Sequence, residues 1–305
     1  MTTATLLQNL AKVDQLAKAS KLRRALHAPW RYLSAIAYRE WQYRRQQQHI
    51  AVTATTFFGQ TMHLLLPAST DIYLTGGKTH HSEIRLARFL IQQLQPGDTC
   101  IDVGAHYGYF SLLAAHLVGS TGRVAAYEAA PTTYEVLAKN AAPLPQLTAH
   151  HRAVSNAAET LTFYQFPNLY SEYNTLDVAQ FEQEAWFKTA PPQIVNVTAI
   201  VLDEVVQKEQ LRPQLIKIDV EGAELQVIEG LRQTLAQQQP TLVMEYLCDE
   251  RGNAAHRAAE QLLRTLGYQA HRIQENGSSI LVNNVPHYLR AAQLESDNVV
   301  FKTRE

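Results

Sequence analysis

From residue 82 onwards, strand-like apolar runs alternate with amphipathic helix-like runs, and this alternation constrains the fold more than any other feature of the chain. Helical spacing of apolar residues over 83–94 ends at Pro96-Gly97. The segments that follow are strand-like at 99–103, helical at 108–118, strand-like at 123–127 and helical at 131–141. Such strands lie parallel, in a sheet that helices cover on both faces. The sequence therefore predicts an α/β domain over residues 81–305, with its ligand site beyond the carboxyl ends of the strands.

Two further segments precede this domain. Residues 1–49 have the spacing of amphipathic helices, interrupted near Pro29, and carry nine Lys or Arg against Asp14 and Glu40. Residues 50–80 are β-rich on either side of Gly59-Gln60, which predicts a β-hairpin lead-in. The basic helical extension has three interpretations: a solvated face of helices that cap the domain, a peripheral membrane contact for a lipid-linked substrate, or a surface for dimerisation.

The composition argues against several classes of protein. A formal net charge of −1 gives no general attraction for nucleic acid, so no nucleic-acid partner is expected. Cys100 and Cys248 are too few for a disulfide framework or a cysteine-based zinc site. The first 25 residues lack an apolar leader-like run, and the chain has no stretch of about 18 consecutive apolar residues. We therefore expect a cytoplasmic protein.

The first strand ends in the string Asp102-Val103-Gly104-Ala105-His106-Tyr107-Gly108. Gly104 permits a tight strand-to-helix turn, and Gly108 lets the helix begin close to a bound ligand. The spacing differs from the Gly-x-Gly-x-x-Gly that binds a pyrophosphate, which disfavours a nicotinamide-dependent oxidoreductase. Asp102, which precedes the first glycine, suits a ligand that carries an amino group. S-adenosyl-L-methionine has an ammonium, a carboxylate and a sulfonium; the alternative is an ordinary tight turn without a ligand.

Polar residues also follow the next two strands. Glu128 stands twenty residues beyond Gly108, where an acid accepts hydrogen bonds from ribose hydroxyls. Ser155 and Asn156 follow the third strand and are candidates for binding adenine, or form a plain polar turn. Together with the glycine turn, Glu128 favours a nucleoside-containing ligand.

The string Lys217-Ile218-Asp219-Val220-Glu221-Gly222-Ala223-Glu224 ends a later strand with three carboxylates. Asp219 and Glu221 point the same way if the strand continues that far. They then supply a general base with its partner, ligands for a cation such as Mg²⁺, or a site for the methionine ammonium. Glu224 is explained by a helix N-terminus. Glu245 interrupts an apolar strand, and we expect it to face the pocket because an unpaired acid in a buried strand is costly.

These strings resemble the FkbM family of methyltransferases, and the similarity spans roughly residues 55–302. The resemblance implies a Rossmann-like, mostly parallel sheet of seven strands with a reversed hairpin at its end. It implies methyl transfer to oxygen, with sugar hydroxyls, glycolipids or polyketide-type products as frequent substrates. By position, Asp102, Gly104 and Gly108 line the methionine end with their neighbours His106 and Tyr107, and Glu128 takes the ribose. Asp219 and Glu221 then lie near the transferring methyl group.

Two departures from the family pattern stand out. His106 occupies the place of the usual Asn, and Ala129-Ala130 replaces the common Pro-Asn. Our hypothesis makes Glu221 or Asp219 the general base for a hydroxyl of a small-molecule or glycan acceptor, with His106 as the second candidate.

A polar, aromatic loop at 167–192 is the predicted substrate lid, in which Tyr173 and Asn174 are the first candidates for acceptor contacts. Its alternative is an ordinary surface loop with a hydrophobic anchor. Two functional alternatives stay open. One is a metal-assisted transferase in which Asp219, Glu221 and Glu245 hold Mg²⁺. The other is a non-catalytic S-adenosylmethionine-binding protein.

Overall fold

The computed structural model describes residues 1–182 and 184–303; Gln183 and residues 304–305 of the predicted lid and domain lie outside the described residues. The N-terminal extension is helical, with a π-helical stretch at Tyr38–Tyr43. A strand pair and a short helix form the lead-in to the main domain. In chain order these elements are α1 (Thr3–Lys18), α2 (Lys21–His27), α3 (Pro29–Ala37), α4 (Arg44–Gln46), β1 (Ile50–Thr55), β2 (Thr61–Leu66) and α5 (Thr70–Thr75).

The main domain alternates helices and strands as the sequence predicts. Its first half comprises α6 (His81–Gln93), β3 (Thr99–Val103), α7 (Tyr109–Val118), β4 (Arg123–Glu128), α8 (Pro131–Ala141), β5 (Leu147–His151), β6 (Ala153–Val154) and β7 (Thr160–Gln165). Its second half comprises β8 (Gln193–Ile200), α9 (Leu202–Lys208), β9 (Pro213–Ile218), α10 (Glu224–Glu229), α11 (Arg232–Gln238), β10 (Thr241–Leu247), α12 (Ala254–Thr265), β11 (Tyr268–Ile273), β12 (Ser279–Leu281), α13 (Val285–Ala292) and β13 (Ser296–Thr303).

The central sheet confirms the predicted mostly parallel α/β fold, with one strand more than the seven expected. Its order is β12-β11-β13-β10-β9-β3-β4-β5, and the five strands from β10 to β5 are parallel. β13 runs antiparallel to both β10 and β11, which is the reversed hairpin. The eighth strand, β12, pairs with β11 through three residues at the sheet edge. A three-residue strand is too short to show a period in the sequence.

The sheet is buried on both faces, which explains the near-continuous apolar runs of its strands. On β9, Leu215, Ile216 and Ile218 are each at most 1% exposed. One face packs against α6, α7 and α8, and the other against helices that include α9, α10 and α12. Strands β6, β8 and β7 form a separate three-stranded sheet.

The N-terminal helices differ in how they contact the domain. Leu6, Leu10 and Val13, at helical spacing on α1, are buried in the same core as α6. Burying such side chains is worth about 1.5–3 kcal/mol each, so α1 is firmly attached. In contrast, α2 and α3 leave large apolar side chains in solvent, including Leu26 and Trp30. No helix in the described part of the chain has the length and hydropathy needed to span a bilayer.

The chain leaves regular structure after β9 and again within the helical segment that follows. The strand does not continue to the acids, because β9 ends at Ile218 and Asp219 and Glu221 lie in a turn. The following helical segment is divided into α10 and α11 at Gly230-Leu231. The close approach of the Ser155 carbonyl explains the glycine, since a Cβ at Gly230 would lie 2.2 Å from that oxygen.

Candidate active site

A cavity of about 550 Å³ lies at the carboxyl ends of the parallel strands, where the α/β alternation predicts a ligand site. Its lining combines segments that are far apart in the sequence. They are the glycine turn (Gly104, His106), the end of β4 (Glu128), the loop after β9 (Asp219, Glu221), β10 (Glu245), the lead-in (Lys78, Glu83) and the 167–192 loop (Tyr173, Asn174).

The predicted site residues divide into two groups. Eight of them line this cavity: Gly104, His106, Glu128, Tyr173, Asn174, Asp219, Glu221 and Glu245. The other four are absent from the described lining: Asp102, Tyr107, Gly108 and Ser155. The second group lies behind the cavity wall, and its contacts show what each residue does there.

Asp102 binds neighbouring side chains within the sheet. It is 2% exposed, accepts a hydrogen bond from Ser111 Oγ at 2.5 Å, and its Oδ1 lies 3.5 Å from Lys217 Nζ. Asp102 pairs in register with Lys217 on β9, which explains why a lysine is tolerated in that buried strand. Lys217 Nζ also lies 3.1 Å from Asp219 Oδ2, and these two carboxylates raise the pKa of Lys217 despite burial. Asp102 is thus connected to the cavity by contacts in series: it contacts Lys217, and Lys217 contacts Asp219, which lines the cavity.

The two glycines of the turn are required by the packing of the chain. A Cβ at Gly104 would lie 1.7 Å from the Asp219 carbonyl oxygen, so glycine lets the β3 and β9 loops touch. Gly108 has φ +88° at the start of α7, and a Cβ there would lie 2.7 Å from Leu137 Cδ1. The positive φ explains the glycine at 108, which lies outside the described lining of the cavity and stays a predicted cofactor residue.

Tyr107 and Ser155 are buried outside the lining. The Tyr107 hydroxyl accepts a hydrogen bond from Asn168 Nδ2 at 2.7 Å, and therefore holds the start of the 167–192 loop. The Ser155 backbone N–H donates to the Ile200 carbonyl at 2.9 Å. At the position predicted for adenine, Ala153 and Val154 line the cavity in place of Ser155.

His106 adopts the left-handed conformation with φ +51°. Its backbone N–H donates to Glu128 Oε2 at 2.8 Å, and its Nε2 lies 3.0 Å from Ser171 Oγ. Burial lowers the pKa of His106 to about 4, so the ring is neutral at pH 7. His106 joins the glycine turn to the 167–192 loop, and its low pKa makes it a weak base.

Glu128 fixes the shape of the glycine turn. Its Oε1 accepts from the Ala130 N–H at 2.9 Å, and its Oε2 accepts from the His106 N–H. Burial raises the pKa of Glu128 to about 7, although these two hydrogen bonds favour the charged form. Each oxygen keeps a further lone pair that a ribose hydroxyl could use.

Asp219, Glu221 and Glu245 form the strand-end cluster, in which one carboxylate oxygen from each lies within 4.8 Å of the others. The turn after β9 brings them together, since Glu221 has φ +52° and its carbonyl accepts from Thr175 Oγ1 at 2.7 Å. Burial and the neighbouring Glu245 and Asp219 raise the pKa of Glu221 well above its usual range. Burial and Asp219 raise the pKa of Glu245 to about 8. Glu221 and Glu245 therefore take up protons more readily than ordinary glutamates.

A second charged cluster, the lead-in cluster, was missed by sequence reasoning. Lys78 Nζ lies 2.8 Å from Glu83 Oε1 and forms a closer ion pair with Glu172. Burial raises the pKa of Glu83 to about 7. Burial also acts on Glu172, but Lys78 outweighs it and lowers the pKa of Glu172 to about 2. Residues 78 and 172 are far apart in the sequence and belong to no motif, so no local signal marks this cluster.

The aromatic residues of the predicted lid mostly pack on each other. Tyr170 stacks on Trp186 with ring centroids 4.2 Å apart, and Phe166 meets the same indole edge-on at 5.2 Å. Tyr173 also stacks on Trp186, at 5.4 Å, while lining the cavity. Asn174 Oδ1 accepts from the Phe166 N–H at 2.8 Å. The hydrophobic-anchor interpretation therefore holds for Tyr170 and Trp186, and Tyr173 and Asn174 face the cavity.

Residues 102–270, more than half of the chain, match the family model described as Methyltransferase FkbM domain. The chain belongs to the FkbM methyltransferase family. This membership confirms the resemblance carried by the glycine turn, Glu128 and the 217–224 string. It places the chain among the S-adenosylmethionine-dependent methyltransferases.

Individual relatives differ in how much of their length they share with this chain. It is 30% identical over 203 residues to Methyltransferase 1 of Beauveria bassiana, covering 62% of this chain and 79% of that protein. It is 30% identical over 164 residues to Methyltransferase sdnD of Sordaria araneosa, covering 46% of this chain and 63% of that protein. Hexuronic acid methyltransferase AglP of Haloferax volcanii is 23% identical over 150 residues, covering 48% of this chain and 56% of AglP. The chain thus spans less than two thirds of sdnD and of AglP.

Among solved structures, the crystal structure of Methyltransferase FkbM from Methylobacillus flagellatus is similar, with a TM-score of 0.38 and 16% identity. The match covers 77% of this chain and 52% of that one.

Proposed function

We propose that this FkbM-family chain transfers the methyl group of S-adenosyl-L-methionine to a hydroxyl of a sugar, glycolipid or natural product. One observation carries the proposal: a single cavity joins Gly104 and Glu128 at one end to the strand-end cluster at the other. The first end has the chemistry of a nucleoside site, and the second has carboxylates suited to accept a proton.

The residues at the nucleoside end fit S-adenosylmethionine. Glu128 offers lone pairs to the ribose hydroxyls, and Ala153, Val154 and Phe163 supply apolar surface for the adenine. The carboxylates of Glu83 and Asp219 suit the positively charged methionine end. When bound, the cofactor supplies an electrophilic methyl group on a sulfonium.

The strand-end cluster gives the acceptor hydroxyl a base. Glu221 or Asp219 would take the proton of the acceptor hydroxyl as its oxygen bonded to a methyl group given up by the bound cofactor. Lys217 Nζ lies 3.1 Å from Asp219 Oδ2 and ties that carboxylate to one position, whereas burial and the neighbouring Glu245 raise the pKa of Glu221 and so make its ionised form more basic. We therefore favour Glu221 as the base. Positioning by Tyr173 and Asn174 supplies the rest of the acceleration.

The acceptor class rests on the size and lining of the cavity. About 550 Å³ accommodates the cofactor and a small acceptor group. Arg251 at the rim, with Tyr173 and Asn174, provides a cation, an aromatic face and an amide for a polar ring. A relative whose name states hexuronic acid as its substrate makes uronic acids and neutral sugars the first acceptors to test.

A metal-assisted reaction is the second candidate, favoured by the three carboxylate oxygens within 4.8 Å of one another. Turnover that survives EDTA, with added Mg²⁺ giving no increase, contradicts it.

Methyl transfer to a panel of sugar and glycolipid hydroxyls, measured with labelled S-adenosylmethionine and mass spectrometry of the product, tests the main proposal. A methyl ether on an acceptor hydroxyl supports it. Cofactor binding with no transfer to any panel member supports the non-catalytic alternative.

A further inference from the structure

Residues 21–45 expose several large apolar side chains to solvent. Among them are Leu22 (70% exposed), Leu26 (73%), Trp30 (83%), Leu33 (59%) and Trp41 (76%). Scattered single exposures are ordinary, whereas five on one short helical segment mark an interaction site. We name these five side chains, with the basic residues between them, the apolar–basic face.

This face is not explained by capping of the domain. α1 covers the domain with Leu6, Leu10 and Val13, all nearly inaccessible. α2, whose residues are all described, has no buried side chain, and α3 buries Ala35. The outward side of the extension is therefore available to a partner.

The charge of the face identifies the chemistry of that partner. Lys21, Arg23, Arg31, Arg39 and Arg45 are exposed between the apolar side chains. Glu40 is the acid within residues 21–45. Exposed tryptophans and leucines interleaved with lysine and arginine are the side chains that enter the headgroup region of an anionic bilayer. We propose that the apolar–basic face docks the protein on an anionic lipid membrane, lying in the plane of the headgroups.

The extension contacts the 167–192 loop, whose later residues line the cavity. The Tyr43 hydroxyl accepts a hydrogen bond from the Leu169 N–H at 3.0 Å, at the start of the 167–192 loop. Two residues later, Ser171 Oγ lies 3.0 Å from His106 Nε2 in the cavity wall. If the proposed function holds, on which this placement rests, a membrane-held acceptor would meet the 167–192 loop from the docked side.

Co-sedimentation of the full chain with lipid vesicles tests the docking, and it needs no methyltransfer. We expect binding to equimolar phosphatidylcholine–phosphatidylglycerol vesicles to exceed binding to phosphatidylcholine alone by roughly tenfold or more, and to weaken at high salt. Equal or absent binding to the two compositions overturns the proposal. Failure of the acceptor panel would leave this result untouched, so the two proposals fail separately.

Two double substitutions test which side chains contact the membrane. Trp30→Ser with Trp41→Ser, and separately Lys21→Gln with Arg23→Gln, should each lower binding to the mixed vesicles at least about fivefold. The matched controls are Ile194→Ser, 68% exposed on β8, and Lys208→Gln with Arg212→Gln, both exposed outside the face. These changes are on the surface, and unchanged thermal unfolding verifies the fold. Controls that lose binding as much as the face variants overturn the assignment.

A second copy of the chain is the competing occupant. Sedimentation velocity without lipid should show the same mass for the wild type and for Trp30→Ser with Trp41→Ser. A wild-type dimer that this pair of substitutions converts to monomer overturns the membrane proposal.

Discussion

The cavity contains two charged clusters, and the contrast between them shows how the site divides its work. In the lead-in cluster, Lys78 pairs with both Glu83 and Glu172; the pKa of Glu172 falls to about 2, and burial raises that of Glu83 to about 7. In the strand-end cluster, Lys217 contacts Asp219. Burial and the neighbouring carboxylates raise the pKa values of Glu221 and Glu245. The lead-in cluster joins separate segments through its ion pairs. The strand-end cluster keeps carboxyl groups whose raised pKa values suit proton transfer near neutral pH.

Glu221→Gln removes the favoured base from the strand-end cluster, and we expect it to have the largest effect of the substitutions considered. We expect kcat to fall by roughly 10²–10⁴-fold, because a general base contributes about that much. The affinity for S-adenosylhomocysteine should change less than about threefold, since Glu221 acts on the acceptor. Exposed Glu229→Gln on α10 is the matched control. Wild-type turnover in Glu221→Gln would show that Glu221 is not the general base and would leave Asp219 as the candidate.

Lys217→Met tests the cation behind the strand-end cluster. It leaves buried Asp102 without its charge partner, 3.5 Å away, and should lower the free energy of unfolding by about 3–5 kcal/mol. Urea unfolding measures the loss, and exposed Lys208→Met should change the same free energy by less than about 0.5 kcal/mol. Equal unfolding free energies of the two variants would mean that the Asp102–Lys217 ion pair does not stabilise the fold.

Glu245→Gln tests the mutual repulsion within the strand-end cluster. A carboxyl group with a raised pKa, here about 8, costs stability as pH rises from its unfolded value through its folded value. The variant lacks this group and should therefore exceed the wild type in unfolding free energy by about 2 kcal/mol at pH 8. Near pH 4, below both pKa values, the two proteins should be alike. Chemical unfolding at the two pH values checks this, and a difference that stays constant with pH contradicts it.

Lys78→Gln should have the smallest effect, because half of the Glu172 side chain is exposed and solvent screens the pair. Wild-type stability that depends on the low pKa of Glu172 is present above pH 4.5 and is lost as pH falls towards about 2. This part of the pH dependence should be absent in Lys78→Gln. We also expect KM for the acceptor to rise a few-fold, since the 167–192 loop loses one anchor. An acid transition identical to that of the wild type would show that Lys78 does not set the pKa of Glu172.

Local patterns predicted the architecture well. The alternation of strands and helices and the glycine turn follow from short-range spacing, and α8 has the predicted bounds, 131–141. The predicted acids Glu128, Asp219, Glu221 and Glu245 also line one cavity, because parallel strands end at one edge of the sheet.

Long-range contacts account for what the sequence did not reveal. Asp102 stays a predicted cofactor residue, and its contact with Lys217, 115 residues away on the neighbouring strand, is one that no local pattern reveals. Lys78 meets Glu172 across 94 residues, and only the folded chain brings them together. Gly108 has the backbone geometry that the turn requires, but its nearest contact is Leu137 on α8. Pairings of this kind depend on strand order and register, which local periodicity does not encode.

Isothermal titration of the purified chain with S-adenosylhomocysteine tests the central claim that this cavity holds the cofactor. We predict one binding site per chain, and at least about tenfold weaker binding in Glu128→Gln, because a charged hydrogen-bond acceptor to the ribose is lost. Glu229→Gln, exposed on α10, should bind as the wild type does. Absence of binding to the wild type, or equal affinity in Glu128→Gln, would contradict the assignment of the cavity.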